Sequence, residues 1–266
     1  MARVSHPRGK APGVKITVLG KSPAWQDPGG ACSGYLVEEG DCCLLLDCGN
    51  GVFGKLRERR DYEQVDAVVV SHLHSDHCFD LVPYAYALSY SPRARRSPNP
   101  RPTLYAPPGG RDAFRTVTGT WGLPELVEQA FCLIEYEPDS TLDLGPLQVR
   151  FHEVPHFVRT FAVQVTSSAG SFTFGADCCP NDALVEFARG TDLLMLEATL
   201  AAPEPDGQRG HLTAAEAGAH GRRAGAGGLV LTHFEEGGHA ERARAEAERE
   251  FGRPVELAAE GAVFSV

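Results

Sequence analysis

The stretch that most constrains this chain is Val68-Val69-Val70-Ser71-His72-Leu73-His74-Ser75-Asp76-His77. Three β-branched residues flanked by polar ones read as a short buried strand. The chain then turns through residues that are poor core material and good ligands. His72 and His74 are spaced to converge on one cation, while Asp76 and His77 face another. Imidazole nitrogen and carboxylate oxygen form a donor set for Zn²⁺, with Mn²⁺ or Fe as options. The competing reading is a polar surface loop that holds three histidines by chance. With only 10 histidines in 266 residues, that clustering beside an acid favours the metal.

Such a loop needs further ligands, and ionisable residues at the ends of apolar strands are where sheets build sites. His156 follows Val154-Pro155, Asp177 follows Phe172-Thr173-Phe174-Gly175-Ala176, Glu197 follows Leu193-Leu194-Met195-Leu196, and His233 follows Leu229-Val230-Leu231-Thr232. Any one alone reads as a capped strand end. Four in series read as a site completed from distant strands.

The remaining pattern alternates strands with helices. Strands are expected over 15–19, 32–37 and 42–46, the last two forming a hairpin around Glu39-Gly40-Asp41. Helices follow over 52–60, 81–90, 111–118 and 125–131. Between them, 91–108 is rich in proline with Arg93, Arg95, Arg96 and Arg101, and reads as a solvated connecting loop. Strands are then expected over 147–154, 161–166, 171–175, 193–196 and 229–232, with closing strands over 255–266. Helices are expected over 181–189, 213–224 and 240–251. Each half supplies strands followed by helices, which suits an α/β chain with two sheets face to face and helices outside. A single domain over 14–266 is expected, preceded by a loose basic tail over 1–13 that lacks the apolar core of a signal peptide.

Composition narrows the partners. A net charge of −10 argues against a broad surface for a phosphate backbone, so a nucleic-acid partner is disfavoured. No apolar run is long enough to span a membrane, and a cytoplasmic location follows. The eight cysteines show no zinc-ribbon spacing and read as reduced thiols.

In this order, His72-Leu73-His74-Ser75-Asp76-His77, His156, Asp177 and His233 resemble the metallo-β-lactamase fold. The resemblance implies a four-layer αββα sandwich with two divalent metal ions, Zn²⁺ foremost. His72, His74 and His156 would hold the first, Asp76, His77 and His233 the second, and Asp177 would bridge them. Asp47 would support the ligand loop from behind. Two further segments, Leu196-Glu197-Ala198-Thr199 and Gly210-His211-Leu212-Thr213, resemble motifs of the ribonuclease-Z-like phosphodiesterases. That branch implies His211 as proton donor or phosphate contact and Glu197 as the group that orients it.

The chain departs from the tRNA-processing members in three respects. Leu196 stands where they have histidine, Cys178 where they have threonine, and only a short hairpin separates His156 from Asp177, with no tRNA-binding arm. The pattern is similar to compact bacterial and phage relatives that hydrolyse 3′,5′-cyclic nucleotides. The resemblance therefore implies a small-molecule phosphodiesterase. A hydroxide shared by both metals and oriented by Asp76 would attack phosphorus, and His211 would protonate the departing ribose oxygen. The alternatives are an RNA 3′-processing endonuclease, a thioester or lactone hydrolase on the same fold, and a non-catalytic metal-dependent nucleotide-binding scaffold. The branch also implies a homodimer, with Tyr84 to Tyr90 as a candidate partner face. Of the other histidines, His152 reads as packing, His220 as solvated on a helix, and His239 as the opening of the last helix, with reach to the substrate as the lesser reading.

Overall fold

Apolar strands from two blocks of the chain build two seven-stranded sheets in the computed structural model, which describes residues 13–96, 101–204, 209–234 and 240–266. The first block supplies β1 (Lys15–Gly20), β2 (Gly34–Glu39), β3 (Cys42–Leu46), β4 (Ala67–Val69), β5 (Thr103–Ala106) and β6 (Cys132–Glu135). The second supplies β7 (Thr141–Leu144), β8 (Leu147–Val154), β9 (Thr160–Thr166), β10 (Ser171–Phe174), β11 (Leu193–Glu197), β12 (Gly228–Thr232) and β13 (Glu256–Leu257). A last strand, β14 (Val263–Ser265), returns to the first sheet and pairs with β1. The orders are β14-β1-β2-β3-β4-β5-β6 and β13-β12-β11-β10-β9-β8-β7.

Strand alternation sorts the side chains into layers. Leu44 and Leu46 of β3 face the second sheet and pack in one core with Phe151, Phe161, Val163, Phe172 and Met195. Cys43 and Leu45, one residue out of phase, face helices α1 (Val52–Arg59) and α3 (Leu81–Tyr90) through Phe53, Leu56, Tyr84 and Leu88. Between these helices lies the single turn α2 (Ser75–Cys78), and α4 (Gly110–Gly119) and α5 (Leu126–Ala130) complete that layer. On the far side α6 (Asp182–Phe187), α7 (Ala214–Ala224) and α8 (Ala240–Phe251) cover Leu194, Leu196 and Leu231. Three cores separating four layers are the expected αββα sandwich.

Strand direction places the site. β9 is antiparallel to both β8 and β10, and β10, β11 and β12 run parallel. The C-terminal ends of β8, β10, β11 and β12 therefore share one edge, the edge from which His156, Asp177, Glu197 and His233 emerge. In the first sheet β3 and β4 are parallel, so Asp47 and the ligand loop also leave from one edge.

Four expectations change. The proline-rich segment 91–108 contains β5, an internal strand between β4 and β6, because Thr-Leu-Tyr-Ala fits a pleated register and Pro102 and Pro107 stand outside it. The ligand loop includes helical turn α2, which carries Asp76 and His77. His220 is buried: its Nδ1 faces the Glu216 carbonyl at 2.8 Å, and Nε2 accepts from the Asn181 amide at 3.1 Å. Tyr84 is also core, its hydroxyl donating to the Tyr62 carbonyl, whereas Tyr86 and Tyr90 are exposed. Residues 1–12 of the N-terminal tail, and His239, lie outside the described residues.

Candidate binuclear metal site

The ligand loop is held from behind by Asp47, at the end of β3. This carboxylate accepts from the Ser71 amide (2.7 Å), the Ser71 hydroxyl (2.8 Å) and His77 Nδ1 (2.7 Å). Gly49 lets the β3–α1 turn lie against α2, since a Cβ there would come within 1.8 Å of the Asp76 carbonyl oxygen. Among the described residues, four non-glycine positions have positive φ, and three of them (Asp47, Ala176 and His233) lie at this edge. Such backbone is strained and persists only where its surroundings over-determine it.

Hydrogen bonding assigns the imidazole tautomers. His77 Nδ1 donates to Asp47, and His156 Nδ1 donates to the Gly210 carbonyl at 2.7 Å. His72 Nδ1 lies 3.1 Å from the Ser71 hydroxyl, whose own proton goes to Asp47. His233 Nδ1 lies 2.8 Å from the Thr199 hydroxyl, whose proton goes to Glu197 at 2.6 Å. In its neutral form each of these four rings is thus left with a bare Nε2 lone pair aimed at a common space. The Nε2 atoms of His72 and His156 approach His74 Nδ1 to 3.2 and 3.1 Å. At most one proton can mediate those contacts, so the cluster is suited to a shared cation.

Beside it, Asp76 Oδ2 lies 3.2 Å from His233 Nε2 and 3.6 Å from His77 Nε2. Asp177 Oδ1 is 3.4 Å from His77 Nε2, and its Oδ2 is 3.4 Å from His233, 3.9 Å from His72 and 4.0 Å from His156. Asp177 therefore faces both groups. Ligand atoms within His72, His74 and His156 lie within 4.8 Å of one another, as do those within Asp76, His77, Asp177 and His233. His77 Nε2 and Asp177 Oδ1 are buried with no hydrogen-bond partner. Orphaned polar atoms are costly in a core, and a divalent cation satisfies both.

The electrostatics agree. Burial and then the neighbouring His77 lower the pKa of His72 well below its ordinary value, and burial pushes His156 down to about 4. Burial also opposes charge on His77, but Asp177 and Asp47 outweigh it and raise that ring well above the usual histidine range. Burial would raise Asp177; the adjacent His233 and His77 instead hold it well below the carboxylate range.

His211 stands beside this ligand set. Its Nδ1 donates to Glu197 Oε1 at 2.9 Å and lies 3.9 Å from Asp177 Oδ2. Glu197 also accepts from the Cys178 amide (2.9 Å), so the backbone at this departure from the family motif supplies the contact. Leu196 points the other way, into the helix-covered core. Burial works against a charged His211, yet the Glu197 hydrogen bond raises its pKa. Its position is fixed by the start of α7, where Thr213 and Glu216 form a capping box and Arg209 links Glu216 to the His211 carbonyl. A cleft of about 440 Å³ opens over His74, Asp76, Asp177, His211 and His233, with Trp25 and Leu200 also on its walls.

All nine residues singled out in the sequence for metal or proton transfer are thus gathered here. His152 is not: it pairs with Asp139 at 2.8 Å and stacks on Phe187. Sequence reading missed Ser71, Thr199, the Gly210 carbonyl and Trp25. Thr199 had a signal, two residues after Glu197, whereas a backbone carbonyl has none.

Two helix-flanked sheets with candidate ligand clusters on one edge are the architecture of a metallo-β-lactamase-fold protein. The chain belongs to the beta-lactamase superfamily, whose domain model matches residues 43–234. It is 32% identical over 254 residues to the probable metallo-hydrolase YhfI of Bacillus subtilis (strain 168), covering 94% of this chain and 99% of that protein. The crystal structure of YhfI superposes with a TM-score of 0.84 at 30% identity, over 95% of this chain and 99% of YhfI. A ribonuclease Z of Mycobacterium bovis (strain BCG / Pasteur 1173P2) is 27% identical, covering 92% of this chain and 95% of its own length. The short form of human tRNase Z shares the fold, with a TM-score of 0.74 at 22% identity over 95% of this chain and 99% of that one.

Proposed function

We propose that the chain is a metal-dependent phosphodiesterase acting on 3′,5′-cyclic nucleotides. The observation that carries this reading is the Glu197–His211 pair: His211 is close enough to His156, Asp177 and His233 to join a ligand group, but its Nδ1 is committed to Glu197 at 2.9 Å. A site that only stored metal would have no use for an oriented, partly exposed imidazole there. Two divalent cations, Zn²⁺ by the donor set, would supply Lewis acidity and a water of lowered pKa. His72, His74 and His156 would hold one; Asp76, His77 and His233 the other, with Asp177 between.

The chain's own groups supply the rest. Asp76 orients the attacking water. With Nδ1 committed to Glu197, His211 offers its Nε2 proton to the departing ribose oxygen. The raised pKa of the ring favours the protonated form that this role needs. The cleft has the size of a small-molecule site. Between His156 and Asp177 the chain makes only the β9–β10 hairpin, closed by the Ser167 amide on the Gly170 carbonyl. With a net charge of −10, this favours a small phosphodiester over tRNA. Similarity to ribonuclease Z favours RNA 3′-processing as a second reading, and cleavage of a precursor tRNA would establish it. The exposed Tyr86 and Tyr90 on α3 support a homodimer face. No helix among the described residues is long and apolar enough to cross a membrane, and we place the enzyme in the cytoplasm.

The test is His211→Ala. Turnover of cyclic AMP and cyclic GMP should fall by about 10²–10⁴-fold, with metal content unchanged. Glu197→Gln should shift the alkaline limb of the kcat–pH profile to lower pH. The acid form exists below its pKa, and Glu197 is what raises that pKa. Wild-type turnover in His211→Ala would remove the proton-donor assignment.

A further inference from the structure

The β1–β2 connection passes the mouth of the cleft, and Trp25 on it is 57% exposed. A lone exposed tryptophan on a surface loop needs no explanation by itself. This one lines the same cleft as Asp76, Asp177 and His211, and its loop is tightly braced. Lys21, though only 2% exposed, pairs with Asp27 at 2.5 Å, donates to the Phe234 carbonyl at 3.1 Å and lies over the Phe234 ring. The Ala31 amide donates to Glu260 at 2.6 Å, and the Gly30 amide to the Asp27 carbonyl at 2.8 Å. Because Phe234 follows His233, the Lys21 contacts register this loop against a candidate metal ligand. A buried lysine is costly unless paired, and here the pairing anchors the loop on both sides of Trp25, whose indole is open to solvent. The result is a flat apolar surface on a wall of the cleft that would receive a phosphate.

A ligand that uses both features carries a phosphate and a planar heterocycle. We infer that Trp25 is a substrate-binding residue whose indole stacks on the nucleobase while the phosphate lies at the metal ligands. This inference rests on the phosphodiesterase reading above. Aromatic stacking tolerates every base, so Trp25 would select nucleotides as a class and not one base.

The test compares cyclic AMP with the base-free methyl riboside 3′,5′-cyclic phosphate, which has the same reacting ring. In Trp25→Ala, the ratio of kcat/KM for cyclic AMP to that for the base-free compound should fall about tenfold. Trp25→Phe should recover most of it. A purely structural loop residue would depress both substrates equally and leave the ratio unchanged. A second measurement uses fluorescence, since the chain has two tryptophans and Trp121 is absent from the cleft walls. In Trp121→Phe, metal-loaded protein should be quenched by AMP and not by ribose 5-phosphate. Turnover of cyclic AMP with an unchanged ratio and no quenching overturns the role of Trp25 alone. If the wild type neither turns over cyclic nucleotides nor binds AMP, the phosphodiesterase reading falls and this inference falls with it.

Discussion

The pocket of His72, His74 and His156 is built from imidazoles alone, whereas that of Asp76, His77 and His233 contains a carboxylate and has Asp47 behind His77. In the first, burial and neighbouring rings push protons off: all three histidines are shifted below their ordinary value. In the second, Asp177 and Asp47 draw a proton onto His77. Backbone strain is also uneven, since His233 and the supporting Asp47 both have positive φ. The first pocket is therefore ready for a cation at neutral pH, and the second is stabilised without metal by a proton that a cation must displace. Among the described residues, Asp177 faces both.

Removing that shared group is the strongest way to break the comparison. Asp177→Ala should lower metal content in both pockets and abolish turnover, with metal analysis and a cyclic-nucleotide assay as the readouts. Circular dichroism would separate this from misfolding. Retention of two metals with wild-type turnover would show that Asp177 bridges nothing. Asp47→Asn should separate the pockets. Asparagine tolerates the φ of +58° at this position and still accepts from the Ser71 amide, but it takes the carboxylate away from His77. Losing such a supporting contact typically costs about 10–100-fold in metal affinity, here most in the second pocket, because the first feels Asp47 only through Ser71 and His72. Equal weakening of both sites in a metal titration would contradict the division.

The same contrast explains what could be read from the sequence. The first sheet's contribution to the ligands lies within His72 to His77, so spacing alone exposed it. His156, Asp177, Glu197 and His233 were legible because each follows an apolar strand, and strand ends collect on one edge of a sheet. Their convergence depends on β9 reversing between β8 and β10, which composition does not encode. The groups that fix tautomers were harder to see. Ser71 and Thr199 are ordinary polar residues until folding places them against an imidazole. Gly210 acts through its carbonyl, and its missing side chain makes room for Phe157, whose ring would lie 2.3 Å from a Cβ there. Strand β5 was obscured by the prolines around it, and the burial of His220 by its place on a helix rich in alanine and glycine, with no large apolar residue to mark the covered face.

A smaller and more specific consequence concerns protons. His77 is raised by carboxylates whose effect a cation would replace, so binding in the second pocket must expel a proton. Its affinity should rise by about tenfold per pH unit while His77 remains protonated in the metal-free protein. His156, at about 4, and His72, lower than its ordinary value, are already neutral at pH 7. With His74 lowered as well, affinity in the first pocket should depend less on pH around neutrality than affinity in the second. Stability of the metal-free protein follows the same signs. The raised His77 contributes stability below its unfolded pKa, and this is lost as pH rises through the folded value. The depressed Asp177 contributes above its unfolded pKa and loses that contribution as pH falls. Calorimetric titration of metal-free protein at pH 7, in two buffers of different ionisation enthalpy, measures the protons released at each step. One binding event should release about one proton more than the other, and Asp47→Asn should diminish that difference. Equal proton release from both events would mean that the carboxylates around His77 do not set its protonation, and the two pockets would then differ in ligands but not in chemistry.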